Sequence, residues 1–93
     1  DCGHLQLKHL VNPNLMFKNY MYVSGTSKVL VEHFKSYYLS IKEKMHLKKS
    51  KDKILDIASN DGTFLNFFIK GGFKNVIGVE PARNLRKLNE KKK

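Results

Sequence analysis

Two carboxylates bracket a short polar loop in the second half of the chain. Asp56 lies near the end of the apolar run 53–57, and Glu80 ends a second apolar run at 75–80. In an open sheet of parallel strands, such ends meet at the edge where ligands bind. A carboxylate at the end of the second strand can accept both hydroxyls of a ribose. The two acids therefore indicate an edge that binds a nucleoside.

The loop between these two acids indicates which kind of nucleoside the edge would bind. Ala58-Ser59-Asn60-Asp61-Gly62 fits the Gly-x-Gly-x-x-Gly pattern of dinucleotide sites in no register. Asp61 would also repel a pyrophosphate by a few kcal/mol at about 4 Å, for an effective dielectric constant of ~20. A cationic nucleoside without phosphate, such as S-adenosylmethionine, is favoured instead. Asn60 tolerates the left-handed conformation and can replace a loop glycine, and Gly62 leaves room for the ligand and the next helix.

The elements that must position this edge follow from the apolar spacing. The runs 53–57 and 75–80 are typical of parallel strands covered on both faces. A helix is predicted over 63–70, stopped by Gly71-Gly72, and Pro81 suits the first turn of another helix. The fold class predicted is α/β, with one β-α-β unit.

A helical segment is predicted upstream of this unit. Asn12-Pro13 predicts a short helix toward Tyr20. A helix from Ser27 to Met45 is predicted because one stripe of it is apolar. The polar, lysine-rich run 48–53 then separates the helical pattern from the strand pattern. We therefore expect a boundary near residue 50, between an upstream segment at 1–50 and the β-α-β segment at 51–93.

The charge of the chain raises a rival hypothesis, a basic module that binds nucleic acid without catalysis. The 93 residues carry 18 Lys+Arg against 8 Asp+Glu, a net charge of +10, but Arg83 and Arg86 are the only arginines. Readers of single strands place aromatic and arginine side chains together on one face. The aromatic residues here fall on apolar stripes, away from the lysines. Nucleic acid is therefore not favoured as a partner.

Cysteine usage and hydropathy bear on the compartment. Cys2 is the only cysteine, which excludes an internal disulfide and fits a reducing compartment. No apolar run approaches the ~20 residues of a membrane span. We expect a cytoplasmic chain with no membrane partner.

Several separated motifs resemble one enzyme family. The segment 54–65, followed by Gly78-Val79-Glu80-Pro81-Ala82, resembles motif I and the second-strand acid of the class I methyltransferases. Within that superfamily it is similar to the sugar C-methyltransferases. Upstream, 2–7 resembles the end of that family's N-terminal zinc module, and 20–27, with His33-Phe34, resembles its connecting segment. The resemblance extends over nearly the whole chain.

This resemblance implies a partial Rossmann-like domain that uses S-adenosylmethionine to methylate carbon in a nucleotide-linked 4-keto-deoxysugar, a small-molecule substrate. Tyr22 is implied as a substrate-side catalytic hydroxyl, with a tyrosine packed between helices as the alternative. Cys2 is implied as the last ligand of a structural zinc in the full-length protein, since one cysteine cannot complete a four-ligand site. The implied cofactor-binding residues are Asp56, Ala58, Ser59, Asn60, Asp61 and Gly62 toward the methionine end, and Glu80 with Pro81 toward the ribose.

Departures from the family pattern leave parts of the function open. Ala58 stands where the family has its first loop glycine. The family's later strands and its principal acid/base residues would lie beyond Lys93, and a parallel pair needs further strands beside it. We therefore expect a fragment that is inactive alone, with residues 1–10 as the tail of the zinc module. A class I methyltransferase with another acceptor remains an alternative, and the oligomeric state stays open.

Overall fold

The computed structural model describes residues 2–90, with side chains described as far as Leu88. The strand, helix, strand order predicted from the apolar spacing is confirmed. The helix α2 is also confirmed, with Ser27 as its N-cap. In chain order the elements are α1 (Pro13–Phe17), a 3-10 turn (Ser24–Thr26), α2 (Lys28–Lys44), β1 (Lys53–Ile57), α3 (Thr63–Lys70), β2 (Asn75–Val79) and α4 (Arg83–Glu90).

The two strands pair in parallel, with Asp56 opposite Gly78. Alternate residues of β1 point to opposite faces of the sheet. Ile54 and Asp56 are half-buried, whereas Leu55 and Ile57 are 59% and 73% exposed. One face of the sheet is therefore covered by helices and the other is open. This small α/β unit is compatible with part of a Rossmann-like fold.

An aromatic cluster forms the core on the covered face. The ring of Phe68 lies edge-on to Tyr38, with centroids 4.9 Å apart, and to Phe73, with centroids 5.6 Å apart. Phe68 is 1% exposed. Because Tyr38 belongs to α2 and Phe68 to α3, the upstream segment and the β-α-β segment pack against each other. The domain boundary near residue 50 stays a prediction.

Two helix ends differ from the prediction, and hydrogen bonds outside the helices accompany both. α1 ends at Phe17 rather than near Tyr20, and the carbonyl oxygen of Lys18 accepts a hydrogen bond from the amide of Arg83 (3.1 Å). α4 begins at Arg83, so Pro81 precedes the helix. There the Glu80 carboxylate accepts a hydrogen bond from the amide of Ala82 (2.8 Å) and holds a turn ahead of the helix.

Helix length and polarity bear on membrane insertion. Within residues 2–90, none of the helices is both long enough and apolar enough to cross a bilayer.

Candidate functional site

The loop at 58–62 wraps over the carboxyl end of β2. The amides of Ala58 and Ser59 both donate to the carbonyl oxygen of Val79, at 2.8 and 3.1 Å. The backbone is left-handed at Ala58 (φ 64°), Asn60 (φ 52°) and Gly62 (φ 73°). These alternating positions curl the chain tightly between β1 and α3. The interpretation that Asn60 can adopt this conformation is confirmed.

Ala58 was not expected to adopt the left-handed conformation. An L-residue with a Cβ pays roughly 1–2 kcal/mol there, which glycine does not. The signal was present in the sequence, since the methyltransferase motif that this loop resembles has a glycine where this chain has Ala58. The departure from the pattern therefore costs backbone energy at this edge.

Glu80 ties the loop to the end of β2. Its Oε2 accepts a hydrogen bond from the amide of Asn60 (2.8 Å), and its Oε1 accepts one from the amide of Ala82 (2.8 Å). An ionised carboxylate offers about four acceptor positions, so two remain for other donors. The loop and the second-strand acid thus meet at one edge, as the nucleoside hypothesis requires.

Asp56 adds a second carboxylate to this edge. Burial raises the pKa of Asp56 above its ordinary value of 3.8, and the negative charge of Glu80 raises that pKa further. Both causes disfavour the ionised form of Asp56. A bound cation would offset the repulsion, so the edge is electrostatically suited to a positively charged ligand.

Asp61 lies inside the molecule rather than at the open edge. It is 3% exposed, and its carboxylate accepts hydrogen bonds from the amide of Thr63 (3.2 Å) and from Thr63 Oγ1 (2.8 Å). Gly25 lies directly over it, since a Cβ on Gly25 would be 2.6 Å from Asp61 Oδ2. Asp61 therefore organises the start of α3 and its contact with the upstream segment.

Ser59 also points inward. It is 5% exposed, and its Oγ is buried without a hydrogen-bond partner among the described residues. The hydroxyl lies against Gly78, where an added Cβ would be 2.7 Å from the Oγ. The seryl hydroxyl is the one buried side-chain polar atom left unsatisfied within the described part of the chain. A polar ligand group that reached this hydroxyl would supply the hydrogen bond that it lacks.

Tyr22 reaches the loop through its backbone. Asn60 Nδ2 donates to the carbonyl oxygen of Tyr22 (3.0 Å), and Asn60 Oδ1 accepts from the amide of Ser24 (3.0 Å). The Tyr22 side chain is 49% exposed, so it is not buried between helices. The structure thus brings the upstream segment to the edge formed by the loop and Glu80.

Three contributors to this arrangement escaped the sequence analysis. Gly25 closes over Asp61, Ser24 binds the loop, and Asn84 holds Tyr20 through bonds of 3.0 and 2.7 Å. The Asn84 contact joins residues 64 positions apart. No local spacing signals a partner at such a distance along the chain.

The predicted zinc ligand, Cys2, is an exposed free thiol. No cluster of three or more His, Cys, Asp or Glu side chains that could hold a metal ion occurs in the described part of the chain. Residues 2–90 thus provide no metal centre of their own.

Comparison with known proteins indicates which class of enzyme this chain is similar to. No protein-family model matches the chain. The chain is nevertheless similar to an enzyme that methylates carbon, which supports a methyltransferase relationship. That enzyme is C-methyltransferase NovU of Streptomyces niveus, 31% identical over 84 residues. The match covers 90% of this chain and 20% of NovU, so the chain spans about a fifth of the length of this curated relative.

Proposed function

We propose that the chain is the part of a methyltransferase with a class I fold that binds the methyl donor, S-adenosylmethionine. The observation that carries this proposal is the pair of carboxylates at the strand ends. Glu80 is bonded to the Asn60 amide at 2.8 Å, and it raises the pKa of the neighbouring Asp56. An edge with this charge repels phosphate and attracts a cationic nucleoside. The similarity to a C-methyltransferase supports the same conclusion.

The residues present fit this cofactor. S-adenosylmethionine supplies an electrophilic methyl group on its positively charged sulfur. The two free acceptor positions of Glu80 suit the two ribose hydroxyls, while its other two hold the loop. Asp56 supplies negative potential toward the sulfonium and the amino group. The loop that follows Asp56 also contains the unsatisfied hydroxyl of Ser59, which points inward.

The acceptor we propose is carbon next to the ketone of a nucleotide-linked 4-keto-deoxysugar. The similarity to C-methyltransferase NovU supports carbon as the methylated atom, and the resemblance of the motifs supports the sugar. Such a reaction requires removal of a proton α to the carbonyl and alignment of the resulting carbanion with the methyl group. Tyr22, half-exposed beside the loop, is our candidate for a hydroxyl that contacts this substrate.

An amide-resolved titration tests the donor site. We expect S-adenosylmethionine to shift the amide resonances of the loop 58–62 and of Glu80 in the full chain. S-adenosylhomocysteine has an uncharged sulfur and is expected to bind more weakly, because the acidic edge then makes no electrostatic attraction to that sulfur. Shifts confined to other parts of the chain would contradict the proposal.

A matched pair of variants sharpens the test. Glu80→Ala is expected to weaken binding by a factor of ten or more, since a hydrogen bond to a charged acceptor is worth roughly 1.5–3 kcal/mol. Glu43→Ala removes an equal charge from an exposed position on α2 and is expected to leave the affinity within about twofold. Equal effects of the two substitutions would remove Glu80 from the site.

A further inference from the structure

A groove separate from the loop at 58–62 runs between α1 and the start of α4. We call it the basic groove. Its volume is about 630 Å³. Its walls include three cationic side chains and three apolar ones, namely Lys18, Arg83, Arg86, Pro13, Phe17 and Pro81.

The arginine content of the groove is its most specific feature. The chain has 18 Lys+Arg, yet it has only two arginines, and both Arg83 and Arg86 line this groove. A guanidinium group presents a planar fork of donors that matches phosphate oxygens in pairs, whereas a lysine offers a point charge. A general excess of positive charge needs no arginine. The concentration of both arginines in one groove therefore indicates recognition of a planar or tetrahedral anion.

The three cations line one groove and are exposed to solvent. Positive charges gathered in one groove repel one another. An anion carrying close to two charges, such as a phosphate group, would neutralise most of this field.

The groove is held in shape by hydrogen bonds across its floor. The amide of Arg83 donates to the carbonyl oxygen of Lys18 (3.1 Å). Beside it, the side chain of Asn84 both donates to and accepts from the backbone of Tyr20, at 2.7 and 3.0 Å. The backbone segments that carry the cations are thus held together before any ligand binds, which reduces the entropic cost of binding.

The groove is also lined by apolar side chains. Pro13, Phe17 and Pro81 line it, and Phe17 is 43% exposed. An exposed aromatic ring beside two prolines offers a flat surface for an organic group attached to the anion. Cationic and apolar side chains in the same groove suit a phosphate ester better than a bare inorganic ion.

We propose that the basic groove is a binding site for a phosphate-bearing small molecule, with Arg83 and Arg86 holding the phosphate. This proposal does not rest on the methyl-donor proposal, because neither Asp56 nor Glu80 lines the groove, although Pro81 adjoins both sites. The two sites select opposite charges.

The test is a titration of the full chain, without S-adenosylmethionine, with inorganic pyrophosphate, adenosine diphosphate and adenosine. Saturable amide shifts at residues 81–86 are expected with the two phosphate compounds and not with adenosine. Equal affinities for pyrophosphate and adenosine diphosphate would identify the free anion as the ligand. Tighter binding of adenosine diphosphate would identify a phosphate ester that also contacts the apolar side chains of the groove. Adenosine binding as well as its diphosphate, or no saturable shifts at all, would overturn the proposal.

Variants provide the second arm of this test. The double substitution Arg83→Ala with Arg86→Ala is expected to weaken pyrophosphate binding at least about tenfold. Lys70→Ala with Lys74→Ala removes the same charge from exposed positions outside the groove and is expected to change affinity less than about twofold. Arg83→Lys with Arg86→Lys keeps the charge and the fold, and is expected to give an intermediate loss because the forked geometry is gone. Equal losses in the alanine pair and the lysine-site control would overturn the assignment.

Discussion

Asn60 Nδ2 donates a 3.0 Å hydrogen bond to the carbonyl oxygen of Tyr22, which lies 38 positions earlier in the chain. The same side chain accepts a hydrogen bond from the amide of Ser24 through its Oδ1 (3.0 Å). Asn60 thus holds the upstream segment against the loop that precedes α3. Its left-handed backbone, at φ 52°, is what directs the side chain toward that segment.

Replacing Asn60 is expected to destabilise the fold through two separable effects. Asn60→Gly loses the side-chain bridge and should cost roughly 1–3 kcal/mol. Asn60→Ala should cost about 1 kcal/mol more, because alanine also resists the left-handed conformation. Urea unfolding measures both. Asn66→Ala, within α3, serves as control and should stay within about 1 kcal/mol of the wild type. If Asn60→Gly unfolds at the wild-type midpoint, the bridge contributes no stability.

Asp56 should make stability depend on pH in a defined direction. Burial and the charge of Glu80 raise its pKa above 3.8, so the fold disfavours the ionised carboxylate. This group stabilises the fold fully only below pH 3.8, and its contribution is lost as the pH rises through the raised pKa. Asp56→Asn should therefore be more stable than the wild type at neutral pH, with the difference fading in acid.

Urea unfolding of both proteins across this pH range measures that difference. Glu43→Gln, an exposed carboxylate on α2, provides a control whose difference should stay small at every pH. An Asp56→Asn protein that is less stable than the wild type at neutral pH would show that hydrogen bonding of the carboxylate outweighs its repulsion.

A substitution at Ala58 is expected to increase the stability of the fold. Ala58→Gly removes the strain of a non-glycine residue at φ 64° but adds entropy to the unfolded chain. The strain of roughly 1–2 kcal/mol exceeds that entropy, so a net gain of up to about 1 kcal/mol is expected. The thermal midpoint should rise accordingly. A fall in the midpoint would mean that the methyl group of Ala58 makes packing contacts worth more than the strain.

Ser59 and Gly78 should be energetically coupled. Ser59→Ala removes a buried hydroxyl that has no partner, and is expected to leave stability unchanged or raise it by about 1 kcal/mol. Gly78→Ala places a Cβ 2.7 Å from the Ser59 Oγ and from Leu65 Cδ1, and is expected to cost roughly 1–3 kcal/mol. The double variant should be less destabilised than the sum of the single effects. Strict additivity would contradict the contact.

Much of the secondary structure could be predicted because it is encoded locally. The apolar stripe from Ser27 to Met45 predicted α2 to within a residue at each end, and the run 53–57 predicted β1. The short elements were less well defined. α1 stops where Lys18 bonds to Arg83, and α4 starts where the Glu80 side chain bonds to Ala82. The first contact joins distant parts of the chain, and the second depends on where the Glu80 side chain points, so neither follows from the apolar spacing.

Some features of the candidate site could also be predicted from the sequence, and others could not. The positions of Asp56 and Glu80 at the ends of their strands could be predicted, since parallel strands bring their carboxyl ends to one edge. The inward orientation of Asp61, under Gly25, could not. The residue type indicates a charge, but only packing decides whether solvent or another segment covers it.

The sequence alone determined the order of strands and helices, the acidic residues at the sheet edge and the lysine-rich character of the chain, because each is a property of neighbouring residues. The tertiary structure decided which carboxylates lie at the sheet edge, such as that of Glu80, and which are buried and hydrogen-bonded within the fold, such as that of Asp61. It also brought Lys18 and both arginines to one groove. These outcomes rest on contacts such as that of Tyr20 with Asn84, across 64 positions, whose formation depends on the path of the whole chain rather than on any local pattern.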